Sequence, residues 1–520
     1  MSQLKNAVKS IMMIVVFSLG SKMLGFLREV LIAQKFGSGP ATDTFFIAVT
    51  AINLLTMLFK RSLSTTIVPI LSKVEADQGV AAKTQFVNKA LNMMMILSIS
   101  MIAVTWALSP FGLRILALGF EGEQYQLAVQ LTRIGLPMVF FASIVGVFRG
   151  FLQSRMLFRE YALTDVPLNV VYILFLVFLS STYGIKGLMA AGVLAVACQV
   201  LIQIPGLLKA GYYYQPILDF QDQYVREMFA LMPPVLMIVA MNDLNRIVDR
   251  ALASTLVEGS ISALNYGHRL ESLVVGVFIT AIATVIFPIL SKEAHKPHLD
   301  GLKRVMRHGV NTILLITIPA MTGMIVLAYP IVQIAFERGA FDARATQMTA
   351  GALSFYALGI PGLALRTYLS KVYYALHDTK TPMFNSIITV CLNIALNLVL
   401  VRVMGHRGLA LGTSISATFT TIFLLYGLKR KIGRLGMKGI AVSGGKALAA
   451  SAVMGAAVVM LFSRMAAVFS GNALAELVVL LMTVSLGMIL YVILLIVFRT
   501  EELGWMIKAF KKSGSSSHNR

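Results

Sequence analysis

The chain has 520 residues, is 57% hydrophobic and only 13% charged, and has a mean hydropathy of +0.80, far more apolar side chain than soluble domains can bury. Runs of roughly 20 apolar residues recur from end to end, each able to cross a hydrocarbon core of about 30 Å. The formal charge of +22 would suggest nucleic acid in a soluble protein, but here it must first be placed on membrane loops.

In chain order, the apolar pattern predicts spans at 8–36, 43–71, 86–108, 128–150, 161–181, 187–208, 227–255, 262–290, 309–330, 349–374, 382–403, 408–428, 440–465 and 473–498. The opening "MSQLKNAVKSIMMIVVFSLG" imitates a signal peptide, yet helix-compatible sequence continues to about Phe36, so it reads as a retained first helix. The segments are too long and too continuously apolar for barrel strands. Cys198 and Cys391, both in apolar stretches, form neither a disulfide scaffold nor a metal cluster.

The loops separate by charge. Lys5 and Lys9 precede the first span, and Lys73, Lys83 and Lys89 surround the loop after the second. Arg149, Arg155 and Arg159 follow the fourth, and Lys429, Arg430, Lys431, Arg434 and Lys438 follow the twelfth. Opposite loops such as "GSGPATD" and "LVEGS" are short and poor in cations. Both termini are therefore expected in the cytoplasm, and attraction to anionic lipid accounts for much of the charge without nucleic acid.

Two halves repeat. "TTIVPILSKVEA" at 65–76 returns as "ATVIFPILSKEA" at 283–294, "RIGLPMVF" at 133–140 as "ALGIPGLA" at 357–364, and "YGIKGLMAAG" at 183–192 as "MGHRGLALGT" at 404–413. Asn169 and Asn393 fall at the same spacing. Each unit holds six spans, an even number, so the repeats are parallel. The expected fold is an all-α polytopic membrane protein of about 14 transmembrane helices. Two parallel six-helix repeats surround a central cavity, and two C-terminal helices are added. The expected divisions are 1–215, 216–435, 436–499 and a cytoplasmic tail at 500–520. Such duplicated bundles suit alternating access, with the chain working as a monomer.

Charges inside the hydrocarbon are expensive and mark function. The first helix holds Lys22, Arg28 and Glu29 within "SKMLGFLREV". The second begins near Asp43 and later carries Lys60 and Arg61, placed where side chains can snorkel. The seventh contains "NDLNRIVDR", in which Arg246 and Arg250 stack four apart while Asp243 and Asp249 temper their field. The eighth carries Arg269, beside His268 and Glu271. These helices correspond between the repeats, so their cations would line a cavity suited to an anion. Arg can clasp phosphate oxygens in a bidentate manner, and Lys supplies a mobile point charge. No phosphate loop, HExxH or GxSxG is present, and no cofactor is expected. Transport would be facilitated, or coupled to an ion gradient or the membrane potential.

"SKMLGFLREVLIAQKFGSGPATDTFFIA" at 21–48 closely resembles the start of the bacterial MurJ (MviN) family. These are lipid II flippases of the multidrug/oligosaccharidyl-lipid/polysaccharide exporter superfamily. "VPILSK" at 68–73, "GSISALNYGHRL" at 259–270 and "GVFITAIATVIFPILSK" at 276–292 resemble later stretches of the family. The resemblance implies a bacterial inner-membrane protein that moves undecaprenyl-diphosphate-linked peptidoglycan precursor outward, alongside other envelope-biosynthesis proteins. It matches a family Arg to Lys22, the key Arg to Arg28, an acidic residue to Glu29, another to Asp43, and an Arg to Arg269. Two positions depart: Thr56 stands where the family has an important Arg, and Arg61 and Ser62 replace an acidic-glycine pair. A related polyprenyl-diphosphate saccharide is therefore the alternative substrate. A drug or cation antiporter would want an acidic cavity instead.

Overall fold

The structure is a computed structural model that describes residues 2–295, 298–468 and 473–500. Within these, side chains are described except at 2–16, 18–19, 58, 61, 64, 234–243, 277–288, 468 and 473. The side chains of Arg61 and Asp243 thus lie outside the described residues.

Every regular element among the described residues is a helix. In chain order these are α1 Ser2–Phe36, α2 Pro40–Gln78, α3 Val80–Leu116, α4 Gly122–Gly135, α5 Pro137–Ser154, α6 Phe158–Leu163, α7 Val166–Phe178, α8 Ser180–Lys209 and α9 Gln223–Ala253. They continue as α10 Ser260–Ala294, α11 Asp300–Val326, α12 Ala328–Phe336, α13 Ala343–Ala357, α14 Ile360–Ala375, α15 Lys380–Met404, α16 His406–Ile432, α17 Met437–Val468 and α18 Ala473–Val497. Helices satisfy their own backbone groups, which is what a membrane-spanning segment requires. Among the described residues, ten helical stretches are long and apolar enough to cross a membrane, and eleven if the bent pair α13–α14 counts as one. The charged helices α1, α9 and α10, of 35, 31 and 35 residues, are also long enough, so the expected fourteen spans are compatible with the fold.

The repeat is visible as matching breaks in the backbone. Pro137 opens α5 after the break at Leu136, and Pro361 sits in the first turn of α14 after the break at Gly359. Proline lacks the N–H that a continuing helix would use, but it fits a first turn. The pair α13–α14 bends by 43° there. Gly184 (φ 57°, ψ −152°) and Gly405 (φ 58°, ψ −136°) adopt nearly the same conformation, one that side chains with a Cβ disfavour. These are corresponding positions of "YGIKGLMAAG" and "MGHRGLALGT". The expected span 128–150 falls within one apolar span, Gly122–Ser154, built from α4 and α5.

The chain divides into two compact units, Met1–Ser262 with Arg338–Asp342, and Ala263–Glu337 with Ala343–Arg520. In the first, Phe59, Leu63, Ile67 and Leu71 of α2, spaced four apart, are buried against α3, α5 and α9. Gly146 and Gly150 of α5 admit that ridge: a methyl at either would come within 2.9 Å of Leu63 or 2.6 Å of Ile67. The strap between α8 and α9 is fastened to α3. Asn88 and Asn92 donate to its carbonyls at Tyr213, Gln215 and Ile217, and Lys89 pairs with Asp219 and Asp222 at 2.8 and 2.7 Å.

In the second unit, α11, α14 and α16 share a core built on Leu302, Val310, Tyr368, Leu369 and Leu424. Thr421 donates to the Gly362 carbonyl at 2.7 Å, and Tyr373 donates to that of Leu424 at 2.9 Å. The added helices α17 and α18 pack on this unit through α11, where the Tyr491 hydroxyl donates to Leu315 O at 2.8 Å. Between α14 and α15, Asp378 accepts from Lys431 at 2.6 Å and from the Thr381 hydroxyl at 2.8 Å.

Candidate functional site

The charges of α1 are placed differently from one another. Lys22 is exposed, whereas Arg28 is only 17% exposed and Glu29 8%. Arg28 Nη2 donates to Glu29 Oε1 at 2.8 Å, and its guanidinium lies 5.3 Å from the centroid of the Tyr172 ring on α7. A guanidinium held by a carboxylate and an aromatic face is partly compensated for leaving water, yet it keeps donors for an anion. Tyr172 reaches this place because Gly192 of α8 has no side chain: a methyl there would collide with the Tyr172 hydroxyl and with Met138. Just under one turn earlier, Asn169 of α7 donates to the Ser21 carbonyl at 3.2 Å, fixing α1 against α7. Its counterpart Asn393 instead donates to Thr413 at 3.3 Å and accepts from Asn397 at 2.9 Å.

Asp43 is 3% exposed, and its carboxylate is occupied by backbone. Oδ2 accepts the Gly259 N–H at 2.7 Å; Oδ1 accepts the Ser262 N–H at 2.7 Å and its hydroxyl at 2.5 Å. Those N–H groups open α10, whose first turn has no internal partners for them. A carboxylate at that end also complements the helix dipole. Arg250 serves the same turn. Its Nη1 donates to Ile261 O at 2.9 Å, and its guanidinium stands 6.0 Å from the Phe46 ring centroid. Arg246, one turn earlier on α9, is exposed. Asp43 and Arg250 are therefore brought together around residues 259–262, away from Arg28 in their bonding.

The same end of this unit carries a backbone seam. The Ala340 N–H donates to Gln34 O at 2.9 Å, and the Ser38 hydroxyl to Gly259 O at 3.2 Å. Gly37 and Gly339, both at positive φ, sit so close to Ala340 O and Gln34 O that any Cβ would collide.

Further along α2, Thr56 is 6% exposed and donates to Asn53 O at 3.2 Å, so it supplies no charge. Lys60, which can either line a cavity or snorkel, reaches Gln199 Oε1 of α8 at 3.5 Å. Nearby, Arg149 forks onto Asp165 with 3.2 and 3.3 Å bonds and stacks 4.5 Å from the Tyr161 ring centroid. Sequence reading passed over Tyr172, Gln199 and Gln203. An aromatic or amide on an apolar helix gives no periodic signal of its partner.

In the second unit Arg269 is half-buried on α10. Its neighbour Tyr266 is fully buried, 5.0 Å from the Phe336 ring centroid. His268 approaches Glu271 at 3.1 Å, and its ring lies 5.4 Å from that of Tyr356. Gly267 lets α10 approach α13 closely, because a methyl there would come within 3.2 Å of Leu353 N.

The family profile described as "Lipid II flippase MurJ" matches residues 32–499. A probable lipid II flippase MurJ of Vibrio cholerae is 32% identical over 465 residues, covering 85% of this chain and 88% of that protein. One from Rickettsia prowazekii is 30% identical over 423 residues, covering 80% and 82%. A lipid II flippase MurJ of Burkholderia cenocepacia is 29% identical over 439 residues, covering 82% and 84%. Among solved structures, a lipid II flippase MurJ in an inward closed conformation superimposes with a TM-score of 0.78 at 24% identity, over 94% of this chain and 99% of that one. An inward-facing multidrug-resistance MATE transporter of the MOP superfamily gives 0.68 at 14% identity, over 80% and 95%. With its helical architecture, its matched repeat and a profile spanning nearly its whole length, the chain belongs to the lipid II flippase MurJ family.

Proposed function

We propose that this chain is a flippase of the inner membrane that carries lipid II from the cytoplasmic to the outer leaflet by alternating access. Arg28 carries the argument. A guanidinium retained inside an apolar helix, braced by Glu29 and Tyr172 and with donors to spare, is placed to meet a further anion. The diphosphate of a polyprenyl-linked sugar supplies that anion, while its tail remains in lipid. In this reading Lys22 is the first capture point, Arg28 binds the diphosphate, Arg246 adds field, and Arg269 is a further substrate-binding cation implied by the family resemblance. Asp43 and Arg250 act indirectly, by holding the 259–262 turn. The termini face the cytoplasm, and the driving force is the membrane potential or an ion gradient. A single charge moved through 100 mV is worth about 2.3 kcal/mol.

Thr56 favours a second reading. The neutral, inward-bonded hydroxyl at this position removes the cation that the family pattern has there, while Arg61 adds one about one and a half turns away. A different polyprenyl-diphosphate saccharide would fit that loss. Depletion followed by leaflet-specific labelling of lipid-linked intermediates decides between them. Lipid II trapped on the cytoplasmic leaflet supports the first reading. Its normal distribution, with another polyprenyl saccharide trapped, supports the second and removes the first.

A further inference from the structure

Inside the first unit, α2, α5 and α8 enclose a polar cluster that the flippase reading does not use. Lys60 of α2 makes one hydrogen bond among the described residues, the 3.5 Å contact with Gln199 Oε1. An ammonium has three donors, and this bond is long for even one of them. Gln199 and Gln203 of α8 are both 0% exposed, and they lie four apart, on one face of the helix. Gln199 Nε2 and both amide atoms of Gln203 have no partner among the described residues. Buried polar groups are normally satisfied, and an unsatisfied amide costs roughly 1–3 kcal/mol.

The charged groups whose fields reach Lys60 are Asp165 and Arg149, and these two are already joined by a bidentate pair. Lys60 therefore has no carboxylate of its own, and the three groups together carry one surplus positive charge. Glu160 lies near the far end of the face, but it presents its Cβ and Cγ to α8 at Gly206. Because Gln199 Oε1 faces the ammonium, its Nε2 donor is turned outward from the same spot. The second amide stands about 6 Å further along the helix.

From this we infer that Lys60, Gln199 and Gln203 form an intramembrane binding site for a small monovalent anion of the halide class. The ammonium supplies the charge, and the two amides supply directional N–H donors. The surplus of one positive charge matches one negative charge. A cation is excluded by Lys60. Asp165, half-buried in its pair with Arg149 and next to the loop rich in arginine, gives the site a side on which to exchange.

The test uses the full chain in lipid nanodiscs, with gluconate replaced stepwise by chloride at constant ionic strength. The thermal midpoint of the wild type is expected to rise and saturate. Lys60→Met and Gln203→Leu are each expected to lose the saturable part. Crystals grown in bromide are expected to show an anomalous peak within hydrogen-bond reach of Lys60 Nζ and Gln199 Nε2. If Lys60→Met does not fold, Gln203→Leu and the wild-type bromide peak decide. A midpoint that rises without saturation and equally in the variants, or a site holding water alone in bromide, overturns the assignment.

Discussion

The Asp43 carboxylate on α2 receives the Gly259 and Ser262 N–H groups from 216 and 219 residues further along the chain, both at 2.7 Å. It caps α10 as a local Asp or Ser would, but from another helix. Asp43→Asn keeps the shape and turns an N–H toward a donor. We expect it to cost about 2 kcal/mol, the scale of a lost hydrogen bond to a charged group. Ser262→Ala should cost less, because the Ser262 N–H remains bonded. Thermal midpoints in detergent, with the double variant closing the cycle, measure the coupling. Additive losses would show that the two residues do not act through one contact.

Arg28→Ala should abolish flipping while leaving the amount of protein in the membrane near wild type. Arg28→Lys should retain part of the activity, since it keeps the charge but not the fork. Gly192→Val is expected to imitate the loss from a distance, by driving the Tyr172 ring out of its slot beside Arg28. Complementation of a depleted strain, with immunoblots of membranes, checks all three. Full complementation by Gly192→Val would mean that the ring does not position the guanidinium.

Arg269→Glu should be far worse than Arg269→Lys, because reversal repels a diphosphate and conservation of charge does not. Equal complementation by the two would remove Arg269 from the proposed substrate-binding cations.

Asp378, in the loop between α14 and α15, gives a pH signature. Burial raises its carboxyl pKa. The hydrogen bonds from Lys431 and Thr381 outweigh that and bring it down to about 2, from an ordinary 3.8. The folded state thus favours the charged form. This stabilisation is complete above pH 3.8 and disappears as the pH falls toward 2. Asp378→Asn should lower the thermal midpoint at pH 7 and flatten its dependence between about pH 4 and 2. An unchanged acid limb would assign the loss to packing.

The architecture was legible wherever it depends on local chemistry. Gly184 and Gly405 punctuate both halves because the required φ excludes other residues cheaply, and Pro137 and Pro361 mark the paired breaks for an equally local reason. Arg28 announced itself by its cost in hydrocarbon. The bonding of Asp43 could not be read in the same way. Its acidity suggested a site, but its partners are backbone N–H groups, which every residue but proline offers. The partner of Lys60 was hidden for a related reason: Gln199, 139 residues away, stands opposite it only in the folded chain. Tyr172 and Gln203 gave no warning at all, because their importance lies in what faces them.

The seam of Gln34, Gly37, Gly339 and Ala340 is made from peptide groups. Peptide dipoles do not titrate, and at bonding distance dissolved ions screen them little. Acid, salt and charge reversal, which would all disturb the Lys89 and Asp378 contacts, have no handle on this one. Its strength instead follows the bulk of three small positions, Gly37, Gly339 and Ala340. A single added methyl at Gly37 is therefore a more potent reagent against it than any change of buffer.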